Sequence, residues 1–181
     1  MNGTCTYGDY ARLPADGRRW ELIDGGLLPL ESMRPADNRV RARLMCALAS
    51  LLPEPGTAVI LQAPLGLILD ATHVVQPDLV IMAAAHRRLI SERGIEGPPD
   101  IVVEILSQNR AHDEVLKRGL YEKFGVPEYW IVDARARCVD VLELVEGHYR
   151  RRAFLRAEDT LTTPQLDGRV NVPLAPIFAE F

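Results

Sequence analysis

The sequence predicts a mixed α/β sandwich around a central sheet. β-branched, apolar runs of strand length, "TAVILQAPLGLIL", "VVQPDLVIM", "DIVVEIL" and "EYWIVD", are punctuated by Gly and Pro. Two other stretches repeat their apolar residues at helical spacing. The order strand, helix, strand from "DIVVEIL" to "EYWIVD" implies a right-handed parallel crossover.

Taken in order, "RWELIDGGLLPLES" reads as two short strands around the Gly25-Gly26 pair. From Asp37, read as an N-cap, "NRVRARLMCALASLL" puts Val40, Leu44, Ala47, Leu48 and Leu51 on one helical face and stops before "PEPG". The runs on either side of "DATH" predict an antiparallel meander. "AAAHRRLISERGIEGPP" carries no definite pattern. After "DIVVEIL" a helix is expected from about Arg110 to Phe124, closed by Gly125 and Pro127. "EYWIVDA" and "CVDVLELVEG" follow as strands, with "HYRRRAFL" pairing back across Glu146-Gly147. The Pro-punctuated "TPQLDGRVNVPLAPIF" is expected to wrap the surface. With no repeat, low-complexity tract or linker, residues 1–181 are expected to form a single domain.

The chain of 181 residues, 48% hydrophobic and 25% charged, has the composition of an ordinary globular protein with a real core. Its three cysteines, Cys5, Cys46 and Cys138, are odd in number and far apart, which argues against a disulfide framework or zinc knuckle and for a reducing cytoplasm. Cys46 and Cys138 lie in apolar patterns and are expected in the core, as are Tyr129 and Trp130. No charged-then-apolar leader opens the chain, and no apolar run approaches the roughly 18 residues of a membrane span. A cytoplasmic protein with no membrane partner is expected. The net charge of −4 neither demands nor excludes nucleic acid. The arginine bunches, Arg18-Arg19, Arg39/Arg41/Arg43, Arg87-Arg88 and Arg150 to Arg152, read first as solvated surface, although those of the first long helix are candidates for phosphate contact. His73, His86, His112 and His148 show no ligand spacing.

Two acids, Asp78 and Glu104, stand inside apolar strand patterns, where an uncompensated carboxylate costs several kcal/mol. Adjacent strands lie about 4.8 Å apart, so paired strands would let both carboxylates converge on one ion. Hard oxygen ligands of this kind suit Mg²⁺ or Mn²⁺. For either acid alone, a strand-end residue capped by backbone or an arginine is the favoured reading. Only Lys117 and Lys123 among the 21 basic residues are lysines, and both fall on the helix after Glu104. The chain climbs at most roughly 16 Å from Glu104 to about Asn109, and the helix returns about 12 Å by Lys117. Lys117 is therefore expected level with Glu104, with Asp113 and Tyr121 on its helical face by i, i+4 spacing. An Asp113–Lys117 surface ion pair is the plain alternative. Two acids and a lysine around a metal suit phosphodiester hydrolysis, in which the ion polarises the phosphate and the lysine steadies the attacking hydroxide.

The combination "WELIDG" (20 to 25), "VVQPDLVI" (74 to 81), "DIVVEILS" (100 to 107) and "DEVLKRGLYEKFGVPEYWIVD" (113 to 133) resembles the Uma-type putative restriction endonuclease family, a branch of the PD-(D/E)XK nucleases. The resemblance runs from about Tyr7 to Arg152, and "LKRGLYEKFGVPEYWIVD" is its most specific part. It implies an α-β-β-β-α-β core with extra N-terminal and C-terminal strands, a divalent metal, and DNA as substrate. Carried over by position, it implies Asp78 and Glu104 as metal ligands with the Ile105 carbonyl as a third, and Lys117 as the catalytic lysine. Leu106 stands where the superfamily's motif has lysine. Glu21, Gln76, Asp113 and Tyr121 match family positions as supporting residues. Gly26, Asn38 with Arg39, and Gln108 depart from the family's usual acid, histidine and proline.

A divalent-metal-dependent DNA endonuclease, acting as a homodimer where both strands are cut, is the first expectation. The alternative is a catalytically silent nuclease-fold protein that binds nucleic acid or a protein partner. A hydrolase of another phosphoester is disfavoured by the lack of a phosphate-cradling Gly-rich loop.

Overall fold

The computed structural model describes residues 4–52, 56–106 and 112–179, with backbone alone at 112–114. A short helix α1 (Tyr7–Tyr10) precedes strands β1 (Arg19–Ile23) and β2 (Gly26–Leu30), and helix α2 spans Pro35–Leu51. Then come β3 (Ala58–Gln62), β4 (Leu67–Asp70), β5 (His73–Val75), β6 (Leu79–Ala83), a 3₁₀ segment (Ala84–Leu89), β7 (Ile90–Ser91), β8 (Gly94–Glu96) and β9 (Ile101–Ile105). A π-helical segment (His112–Lys117) runs into α3 (Arg118–Lys123). Strands β10 (Glu128–Asp133), β11 (Cys138–Val145), β12 (His148–Arg156), β13 (Thr160–Thr162) and β14 (Asn171–Pro173) follow, and α4 (Leu174–Phe178) closes the chain.

Two six-stranded mixed sheets result, ordered β12-β11-β10-β9-β6-β3 and β2-β1-β5-β4-β8-β7, with β13-β14 as a separate pair. In the first, β9 and β10 are parallel while β3, β6 and β9 run antiparallel in sequence. The chain order α2, β3, β6, β9, α3, β10 over this sheet is the α-β-β-β-α-β core expected from the sequence. The sheet is covered on both faces. One face carries Val103, Ile105, Leu79, Ile81, Trp130 and Val132, which pack with Val40, Leu44 and Leu48 of α2. The other carries Val80, Val102, Tyr129 and Ile131, which pack with Leu120 and Tyr121 of α3 and with Ile23, Leu67 and Val75 of the second sheet. Burial on both faces explains why these strands read as continuous apolar runs instead of alternating ones.

Local chemistry sets the boundaries. The β1-β2 hairpin turns on Asp24-Gly25, both at positive φ (49° and 73°), one position earlier than the Gly25-Gly26 pair expected. This is the Asp-Gly turn whose twist suits a two-residue hairpin. Helix α2 begins at Pro35, ahead of the Asp37 expected as its N-cap, because proline's fixed φ is accommodated in the first turn. Asp37 instead lies inside the helix, paired with Arg34 at 2.7 Å. After α3, Gly125 at φ 75° lets its own N–H reach Glu122 O (3.1 Å) and the Val126 N–H reach Tyr121 O (3.0 Å), a Schellman cap.

Three further expectations are corrected. The presumed single meander is split: β4 and β5 pair across "DATH" in the second sheet, whereas β3 and β6 pair in the first. Pro64 and Pro77, which cannot donate to a ladder, stand where the chain leaves one sheet for the other. The C-terminal stretch does not wrap the surface, since Val170, Val172, Leu174, Ile177 and Phe178 are buried against the α2 face of the core. Cys46 is exposed and Cys138 half-buried, so neither is the core residue expected. No described helix is long and apolar enough to cross a membrane.

Candidate active site

Strand β9 carries Glu104 between Val102 and Leu106, and strand alternation puts all three on the face towards α3 and the second sheet. Asp78 stands one residue before β6. The β6-β9 register pairs Leu79 with Val103, and its continuation by one residue sets Asp78 opposite Glu104. Opposed residues on an antiparallel pair project to the same face with Cβ atoms about 5 Å apart. Both acids are almost fully buried, at 6% and 3% exposure.

The partners of these acids come from two different elements. The π-helical segment ends at Lys117, and its wide turn changes the angle at which the following residues present themselves to the sheet. Lys117 and Tyr121, four residues apart, both reach Glu104 Oε1: the lysine Nζ lies 2.9 Å away and the tyrosine hydroxyl donates at 2.7 Å. From the second sheet, Glu21 on β1 places its Oε1 3.0 Å from the same Nζ. Glu21 in turn accepts the Gln76 backbone N–H at 2.8 Å. Asp78 Oδ2 accepts the Ile105 backbone N–H at 2.8 Å, and its Oδ1 lies 3.7 Å from Arg41 Nη1 of α2.

Glu21, Gln76, Asp78, Glu104, Lys117 and Tyr121 are thus brought together. Ile105 meets Asp78 through its N–H. The Asp113 side chain, and Gln108 and Asn109, lie outside the described residues. Sequence reasoning named Arg41 only as a candidate for phosphate contact and Arg19 only as surface, and did not anticipate Arg41 against Asp78 or Arg19 against Gln76. Neither carries a local signal, since arginine at helical spacing reads as a solvated face.

The electrostatics follow from burial. Desolvation pushes the Asp78 carboxyl above its usual range, although the Ile105 N–H, Lys117, Arg41 and Arg19 all pull it down. Tyr121, fully buried and beside Glu104 and Glu21, is held well above the ordinary phenol range, so it remains a donor. Three acids, Glu21, Asp78 and Glu104, are buried here with Lys117, whose ammonium contacts Glu21 and Glu104 while Arg41 faces Asp78. The hard oxygen donors are of the kind that fits a divalent cation of the Mg²⁺ type. Among the described residues, no three His, Cys, Asp or Glu side chains converge closely enough for an all-protein cage.

The mixed sheet, with helices on both faces and this strand order, defines a nuclease-like α+β fold. The family model described as Uma2, putative restriction endonuclease, matches residues 7–175, and the chain belongs to that family. Among solved structures, a putative nuclease of the DUF820 group from Anabaena variabilis superposes with a TM-score of 0.78 at 17% identity, covering 96% of this chain and 97% of that one. At that identity the likeness establishes the fold. No curated protein matches the sequence.

Proposed function

We propose that residues 1–181 form one nuclease domain that hydrolyses DNA phosphodiester bonds with a divalent metal, Mg²⁺ or Mn²⁺. The observation that supports this most is the placement of Asp78 opposite Glu104, with Lys117 Nζ 2.9 Å from the Glu104 carboxylate. In this reading Asp78, Glu104 and the Ile105 carbonyl would hold the ion, which when bound would supply polarisation of the phosphate and an acidified water. Lys117 presents a compact ammonium to the attacking oxygen and the charge that develops on the phosphate. Tyr121 fixes the orientation of the Glu104 carboxylate by donating to its Oε1. Glu21 holds Lys117 in place, Gln76 holds Glu21 through its backbone, and Asp113 is assigned a supporting role on the helix of Lys117. A double-strand cut takes two such sites, supplied by two copies of the chain. With no disulfide among its three cysteines, the protein suits the cytoplasm.

One observation favours the silent alternative. Lys117 bridges Glu21 and Glu104 while Asp78 is satisfied by the Ile105 N–H, so the acids have partners without any metal. A substrate panel separates the readings. Incubated with Mg²⁺ or Mn²⁺, the protein is expected to cut duplex DNA and to leave mononucleotides and small model phosphodiesters intact. Cleavage of the small substrates alone points to another phosphoesterase, and binding of DNA with no cleavage in either metal establishes the silent reading.

A further inference from the structure

Two arginines act on Asp78 from outside the acid and lysine cluster. Arg41, in the second turn of α2, donates from Nη2 to Asn38 Oδ1 at 2.8 Å and holds Nη1 3.7 Å from Asp78 Oδ1. That separation is too long for a hydrogen bond, and the other Asp78 oxygen is taken by the Ile105 N–H. The Nη1 of Arg41 is therefore directed at the site without being consumed by it. Arg19 approaches from β1 of the second sheet. Its Nε donates to Gln76 Oε1 at 2.9 Å, and its two Nη groups meet no protein acceptor among the described residues.

Arg19 is held firmly. The Gln76 side chain that anchors it donates in turn to the Tyr10 hydroxyl at 2.9 Å and to Trp20 O at 3.2 Å, which fixes which end of the amide faces the guanidinium. Arg41 thus faces Asp78 directly, and Arg19 is held on Gln76, two residues before Asp78 in the chain. Beyond Arg19 a cleft of about 310 Å³ opens, lined by Arg18, Trp20, Pro29, Leu30 and Glu31 among others. The β1 ladder is carried by backbone and α2 by its Leu and Val face, so the fold does not require either guanidinium.

We infer that Arg41, facing Asp78, and Arg19, held on Gln76, form a phosphodiester-binding clamp that grips non-bridging oxygens of the DNA backbone beside the scissile bond. The inference rests on the nuclease reading and adds the substrate's anchoring points to it. A guanidinium is planar, permanently charged and weakly hydrated, and its paired N–H donors match phosphate oxygens. Two such groups, anchored through Asn38 and Gln76, supply fixed contacts where the three buried carboxylates would otherwise repel the backbone.

The test is duplex DNA binding by fluorescence anisotropy in Ca²⁺, across a salt series, for wild type, Arg19→Ala, Arg41→Ala and the two Lys variants. Each Ala variant is expected to weaken binding roughly threefold to tenfold and to reduce the slope of log affinity against log salt by about 0.9, the loss of one phosphate contact. Each Lys variant keeps the slope and recovers part of the affinity. Mn²⁺ titrated without DNA binds Arg41→Ala at least as tightly as wild type, because a positive charge has left the site. Wild-type cleavage with affinity and slope unchanged in both Ala variants overturns the clamp alone. Weaker Mn²⁺ binding in Arg41→Ala overturns it too, by making the arginine a structural prop of the metal site. Absence of DNA binding by wild type overturns the nuclease reading and the clamp with it.

Discussion

Lys117 Nζ stands 2.9 Å from Glu104 Oε1, with both side chains buried and thirteen positions apart in the chain. A buried carboxylate in a strand needs compensation, and here the helix that follows the strand returns to deliver it. The same lysine is 3.0 Å from Glu21 on the opposing sheet, so one ammonium links both sheets of the fold. Removing it leaves two buried carboxylates without this counter-charge.

Lys117→Met keeps most of the side-chain volume and removes the charge. Unfolding free energy is expected to fall by about 3–5 kcal/mol, the cost of breaking a buried pair from one side, and DNA cleavage by roughly 10²–10³. Urea denaturation and a cleavage time course measure the two. Lys117→Arg does not restore activity, because the wide fork does not fit a position shaped for a compact ammonium.

Asp78→Asn should stabilise the metal-free protein while abolishing cleavage. The folded-state pKa of Asp78 is raised, chiefly by desolvation. Its contribution to stability is therefore fully present below the unfolded carboxylate pKa of about 3.9 and is lost as pH rises through the folded value. At neutral pH the wild type carries that penalty and the asparagine, which still accepts the Ile105 N–H, does not. The gain in urea midpoint should be present at pH 7 and vanish near pH 4. A variant less stable than wild type at pH 7 contradicts this.

Tyr121 and Tyr149 are both raised, first by burial. Neither phenol should ionise in an ultraviolet titration near pH 10 while the fold persists. Their contribution is complete below the unfolded phenol pKa of about 10 and is lost above it. Tyr121→Phe, which deletes the bond to Glu104, is expected to cost about 1.5–3 kcal/mol, the range for a hydrogen bond to a charged group, and to narrow the alkaline loss of stability.

Mn²⁺ should raise the melting temperature of wild type. At a concentration one hundred times the dissociation constant, the expected stabilisation is about 2.7 kcal/mol. Glu104→Gln and Asp78→Asn should show no such shift. An equal shift in all three proteins places the ion elsewhere.

The strands that build the site were legible because burial on both faces leaves runs such as "DIVVEIL" and "EYWIVD" nearly free of polar residues, with Asp78 and Glu104 conspicuous inside the pattern. The level of Lys117 followed from the rise per residue of strand and helix alone. Other features were hidden for physical reasons. Which sheet a strand joins is a long-range matter, so nothing local told β3 and β6 apart from β4 and β5. The C-terminal stretch buries Val170, Val172, Leu174, Ile177 and Phe178 without any helical or strand period long enough to register. Arg41 meets Asp78 and Arg19 meets Gln76 only through tertiary packing, and their sequence neighbourhoods read first as solvent-facing arginine.

The measurement that bears most directly on the paired acids is incubation of supercoiled plasmid with wild type and with Glu104→Gln in Mg²⁺ or Mn²⁺. Glu104→Gln keeps the shape of the side chain and an acceptor for Tyr121 while removing the charge that would hold the ion. Wild type is expected to nick and linearise the plasmid, with cleavage lost in EDTA and in folded Glu104→Gln. Cleavage by Glu104→Gln at the wild-type rate would contradict the account.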